Sequence, residues 1–195
     1  DPLTYAPLTY LRDVEALIAA EKPGKIAVIG TSLGGIIAML MAGTLKQHLA
    51  GVLLNDIGPE IMEAGLERIR GYVGKMGPWP TWMHAAWALR DLNAAIYPHY
   101  SMDDWLRMAK RTCYLHSNGR IVPDYDPNLA VPFKLPNGSA GVDLWPAFDA
   151  LAGLPVTVVR GETSDILSVE TLDRMLARGP HVTGVTVPGV GHAPS

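Results

Sequence analysis

Apolar positions along the chain change period several times, and each change predicts an element. Leu8, Leu11, Val14, Leu17 and Ile18 recur at helical spacing, with Pro7 suited to a first turn and Pro23-Gly24 closing the segment. The pattern then becomes continuous. Ile26, Val28 and Ile29 are β-branched, as a strand buried on both faces requires. After Gly30-Thr31-Ser32-Leu33-Gly34-Gly35 come helix formers, Ala38 to Ala42, predicting a helix to about Gln47. Short apolar runs at Gly51–Asn55, Val156–Arg160 and Val182–Val187 predict three further strands, and Ser168–Ala177 a helix with Ser168 as N-cap. Strands alternating with helices give an α/β class, a mostly parallel sheet of about four assignable strands flanked by helices.

Between residues 59 and 137 the pattern is different. Helical segments are predicted over 59–73, 81–92 and 102–115, separated by loops and an Asn118-Gly119 turn, and 121–136 reads as extended and proline-rich. This stretch holds Trp79, Trp82, Trp87 and Trp105 with Met62, Met76, Met83, Met102 and Met108. Such side chains are expected first as the internal packing of a helical subdomain. Lying between two sheet strands, the stretch is also expected to form a lid over their C-terminal ends. The division expected is a core of 1–58 and 138–195 with a helical cap of 59–137.

Composition narrows the partners. A net charge of −3 over 195 residues leaves no basic excess to attract nucleic acid or an anionic membrane. The apolar run from Ile26 to Gly43 is broken by glycines with Thr31 and Ser32, so it is not read as a membrane span. The single cysteine, Cys113, cannot form an internal disulfide and is expected inside a helix as a small buried hydrophobe. No His and Cys pair has zinc-ligand spacing, and neither metal nor cofactor is expected. With no export signal at the start, the expected location is the cytoplasm.

The chemistry is expected at Ser32. Gly30-Thr31-Ser32-Leu33-Gly34 is a Gly-x-Ser-x-Gly between a strand and a helix, a turn so tight that Gly30 and Gly34 are expected to supply clearance. The N–H of Leu33, with the positive end of the helix, would face an oxyanion forming beside Ser32. A serine hydroxyl needs a base, and the base an orienting acid. His192 fits as base, because Pro188-Gly189-Val190-Gly191 can fold it back across the sheet edge. For the acid, Asp165 follows one strand and Asp56 another. Asp56 remains a competitor, while the chain order Ser32, Asp165, His192 matches one hydrolase class and favours Asp165.

Three segments together carry a family resemblance: Gly30–Gly35, Arg160–Asp165 and Val187–Pro194. The sequence resembles a cap-bearing member of the α/β-hydrolase superfamily. The resemblance implies Ser32 as nucleophile, His192 as general base and acid, Asp165 as orienting acid, and Leu33 N–H as one oxyanion donor. It also implies a partial fold. The strands that normally come first, with the loop that gives a second oxyanion donor, have no counterpart here, nor has the closing helix. The Lys25–Ile29 strand is therefore expected to offer an apolar edge to a second copy or to a preceding segment. The expected function is hydrolysis of small, rather apolar carboxylic esters. A same-triad carbon–carbon hydrolase, lactonase or cofactor-free perhydrolase, or an impaired fragment that only binds, are the alternatives. Enzymes with a carboxylate nucleophile are disfavoured by the serine at the elbow.

Overall fold

The computed structural model describes residues 4–134, 143–192 and 194. Its centre is a four-stranded, all-parallel sheet of β1 (Ile26–Thr31), β2 (Leu49–Asn55), β5 (Val156–Gly161) and β6 (Val182–Val187), in the order β1-β2-β5-β6. The central strands carry the most buried positions. Leu54 and Val158 are fully enclosed, while Ile29 on β1 is 76% exposed. Among the described residues β1 has a strand neighbour on one side only, β2.

Helices α1 (Pro7–Glu21), α2 (Leu33–Thr44), α7 (Trp145–Asp149) and α8 (Val169–Leu176) pack with the sheet in the main core, joined by loop residues such as Ile57, Leu151, Ile166 and Leu167. Their boundaries follow local chemistry. Pro7 opens α1, Lys22 closes it in a left-handed conformation, and the Ser168 hydroxyl caps α8 by accepting from Thr171 N–H. α2 packs small or flexible side chains, Ala38, Met39, Met41 and Ala42, into the core formed with Leu49, Leu54 and Phe148.

The stretch between β2 and β5 forms α3 (Glu63–Tyr72), α4 (Trp82–Asn93), α5 (Met102–Thr112), β3 (Cys113–Leu115), β4 (Ile121–Pro123) and the short α6 (Val131–Lys134). It has its own hydrophobic cluster around Ala85, Ala86, Leu89, Trp105 and Ile121, against which Met76, Trp79, Trp82, Met102 and Met108 pack. Trp87, Met83 and Met62 are different, being 44%, 40% and 38% exposed. α3 is shared, because Ile69, with Ile61 just before it, packs on the main core instead.

Two expectations are corrected here. The helix expected over 102–115 stops at Thr112, so Cys113 stands on a strand; it is buried, as expected of its side chain. The run from residue 121 is extended only at its start, where β4 pairs antiparallel with β3 and Trp79 bridges to Ile121; Pro127–Ala130 forms a 3-10 turn that leads into α6. The β-branched Ile121 and Val122, with the Asn118-Gly119 turn, are the local signals for that hairpin. Residues 135–136 and the boundary expected at 137/138 lie outside the described residues.

Candidate active site

Parallel register places four loops along one edge of the sheet. Thr31 pairs with Asn55, Asn55 with Val159, and Gly161 with Val187, so the residues that follow each strand emerge side by side. Ser32 follows β1, Asp56 follows β2, Asp165 lies on the loop after β5, and His192 on the loop after β6. Backbone hydrogen bonds continue the ladder past the strands: Ser32 N–H donates to Asn55 O, Asp56 N–H to Val159 O and Glu162 N–H to Val187 O.

Ser32 has φ +52° and ψ −119°, a left-handed conformation that costs a non-glycine residue about 1–3 kcal/mol. The surrounding packing explains why it persists. A Cβ on Gly30 would lie 2.5 Å from the backbone of Gly34 and Gly35, and one on Gly35 would lie 2.2 Å from Ile57 Cγ2. Gly34 meets nothing within 4 Å. The clearance expected of Gly30 and Gly34 is thus provided by Gly30 and Gly35, because the helix turns its first close face towards Ile57. Ser32 caps α2 by position, but its hydroxyl makes no capping bond. Leu33 N–H begins the helix and, like all first-turn N–H groups, has no intrahelical acceptor.

His192 Nδ1 lies 2.7 Å from Asp56 Oδ2. The Asp56 side chain is fully buried and that of His192 is 11% exposed. A carboxylate can only accept, so Nδ1 is the donor, and in the neutral imidazole Nε2 then keeps its lone pair. The loop bearing His192 is laced into place. Thr163 N–H donates to Val190 O, Gly189 N–H to Glu162 Oε2, Gly191 N–H to Ile96 O, and Asn55 Nδ2 to Pro194 O. A Cβ on Gly161 would meet Gly191 O at 2.0 Å, so the two loops approach closely because Gly161 lacks a side chain; a Cβ on Gly191 would instead meet Ile96 at 3.2 Å.

Asp165, expected at His192, makes its hydrogen bonds elsewhere. Both its oxygens accept from Arg68 on α3, from Nε at 2.5 Å and from an Nη at 2.8 Å. The Arg68 guanidinium holds the Asp165 carboxyl below the usual carboxylate range, against a smaller opposing effect of burial. His192 contributes to that shift only weakly and through space. The contact with His192 is made by Asp56, the alternative acid. Asp56 has φ +53°, a backbone turn that Asp tolerates better than most residues and that aims its side chain back along the sheet edge.

Sequence reasoning missed Arg68, Gly161 and Ser164. Gly161 N–H donates to Asp56 Oδ1 at 2.8 Å and Ser164 Oγ to Asp56 Oδ2 at 2.6 Å. In sequence the segment Gly161–Asp165 draws notice for its aspartate, although a serine beside it in a strand-end turn is also a donor. Two hollows are separate from this cluster: a cavity of about 330 Å³ against the β3–β4 hairpin, and an apolar groove of about 560 Å³ between α1 and β1.

The profile of the alpha/beta hydrolase family matches residues 1–195. The chain belongs to the alpha/beta hydrolase family. Among relatives of this alpha/beta hydrolase, the 3-hydroxybutyrate-oligomer hydrolase of Cupriavidus necator is 38% identical over 210 residues, covering 98% of this chain and 67% of that protein. An esterase of Mycobacterium tuberculosis is 26% identical, over 94% of this chain and 59% of its own length. The crystal structure of an alpha/beta hydrolase from Novosphingobium aromaticivorans superimposes with a TM-score of 0.91 at 52% identity, covering 100% of this chain and 68% of that one. This alpha/beta hydrolase chain therefore spans roughly two thirds of the length of the proteins it matches. Among the described residues no helix is long and apolar enough to cross a membrane.

Proposed function

We propose that the protein is a serine hydrolase that cleaves small, rather apolar carboxylic esters through an acyl-enzyme on Ser32. Ser32 Oγ attacks the ester carbonyl carbon while its proton passes to His192 Nε2. The charge that develops on the carbonyl oxygen is stabilised by Leu33 N–H at the positive end of α2. The C–O bond to the alcohol then breaks, and the imidazolium returns the proton to the departing oxygen. Water, deprotonated by His192, next attacks the acyl carbon, releasing the acid and restoring Ser32. Asp56 holds the imidazole in the required tautomer and stabilises its charged form.

The observation that carries this reading is the hydrogen bond between His192 Nδ1 and the buried Asp56 carboxylate, at the same strand-end edge as a serine whose hydroxyl is not spent on its own helix. The name of the Cupriavidus necator relative supports oligomeric hydroxy-acid esters as the first natural substrates to try. The insertion from 59 to 137 is proposed as the lid, supported by the bond from Gly191 N–H to Ile96 O, which joins it to the loop of His192.

The test uses the full-length protein with a fluorophosphonate probe, p-nitrophenyl esters and 3-hydroxybutyrate oligomers. The adduct is expected on Ser32, with ester turnover abolished as the label saturates. An adduct mapped to another serine, or turnover that survives complete labelling, overturns the assignment.

A further inference from the structure

We propose that Ser164 is a positioning residue for this reaction: its hydroxyl fixes the Asp56 carboxylate in the orientation that holds His192. The inference rests on the reading that Asp56 and His192 serve Ser32. Its ground is the way the hydrogens must be arranged. A serine hydroxyl has one proton to donate and two lone pairs to accept with. Ser164 Oγ accepts from Ile166 N–H at 3.1 Å and from Leu167 N–H at 3.0 Å. Its proton is thereby directed at the one remaining partner, Asp56 Oδ2, 2.6 Å away.

The consequence falls on the carboxylate. The terminal torsion of an aspartate is broad, so the contact with His192 does not by itself fix the plane of the group. Gly161 N–H holds Oδ1 and Ser164 Oγ–H holds Oδ2, leaving His192 Nδ1–H to approach a carboxylate already fixed at both oxygens. A fully buried carboxylate with unfilled acceptor positions is costly, and a donor that cannot rotate away meets that need. Ser164, 8% exposed, is itself sealed from solvent that could compete. The loop after β5 thus serves the site through its serine, while the neighbouring Asp165 faces Arg68.

A double-mutant cycle tests this in the full-length protein. Ester hydrolysis by the wild type, Ser164→Ala, Asp56→Asn and the double variant is measured per fluorophosphonate-titrated site, with kcat and KM separated. Ser164→Ala is expected to lower kcat by roughly 10- to 100-fold with KM little changed, since a hydrogen bond to a charged group is lost. It is expected to cost nothing further once Asp56 is Asn. Unchanged kcat per titrated site in Ser164→Ala overturns the inference, as does an equal loss in both backgrounds, which marks a role independent of Asp56. If Asp56→Asn itself leaves kcat unchanged, the reading of the triad fails instead. Where Ser164→Ala does not fold, Ser164→Cys carries the same test, its weaker donor giving a smaller loss that again vanishes with Asp56→Asn.

Discussion

Asp56 and His192 are 136 positions apart and meet through a 2.7 Å contact between Oδ2 and Nδ1. Neither residue lies on a strand. Each is the product of a turn just beyond a strand end, and the parallel register of β2, β5 and β6 brings those turns together.

The first prediction concerns the acid. Asp56→Asn is expected to lower ester turnover by roughly 10⁴, because the amide stabilises the wrong imidazole tautomer. Asp165→Asn, with no hydrogen bond to His192, is expected to have a far smaller effect. Steady-state kinetics normalised to titrated Ser32 compares the two, and the opposite ranking returns the role to Asp165.

The ion pair of Arg68 and Asp165 should appear in the pH dependence of stability. Arg68 depresses the folded-state pKa of Asp165, so the stabilisation is present above the unfolded value and is lost as pH falls through the lower folded one. At pH 7 the wild type is expected to melt higher than Asp165→Asn, and the gap is expected to close on titration well below about pH 4. Thermal melts across that range measure it; a gap that widens with acid contradicts the sign.

Gly30→Ala is expected to abolish the elbow, since its Cβ would stand 2.5 Å from main-chain atoms that cannot yield without moving α2. Gly34→Ala, with nothing within 4 Å, is expected to be tolerated in the 195-residue chain. Circular dichroism and thermal melts of the two variants separate these outcomes.

Cys113 is expected to be inert. Burial raises its thiol pKa, and it is 7% exposed on β3, so a disulfide exchange reagent should react with it far more slowly than with a free thiol in native protein and readily after denaturation. Rapid native-state modification would show that the hairpin opens.

The outer edge of β1 carries no charge or proline from Ile26 to Thr31, and Ile29 is 76% exposed. Such an edge recruits backbone partners. We propose that the 195-residue chain by itself associates with a second copy there, and that Ile29→Lys shifts it towards monomer in sedimentation. Identical sedimentation of both forms removes the edge from consideration.

What the sequence determined by itself was local. Hydrophobic period marked α1, the four sheet strands and α8 because a helix or strand must repeat its apolar face at its own pitch, and Gly30-Thr31-Ser32-Leu33-Gly34 marked the turn because few residues permit it. His192 was legible for a similar reason, standing at the end of a glycine-rich turn after the last strand. The choice between two aspartates was not. Each follows a strand in a plausible turn, and nothing adjacent in sequence distinguishes them. Arg68, 97 residues from Asp165, takes up that carboxylate, while Gly161 N–H and Ser164 Oγ fill acceptor positions on Asp56. Buried polar groups must find partners, and which partners are within reach is decided only when distant loops are folded against one another.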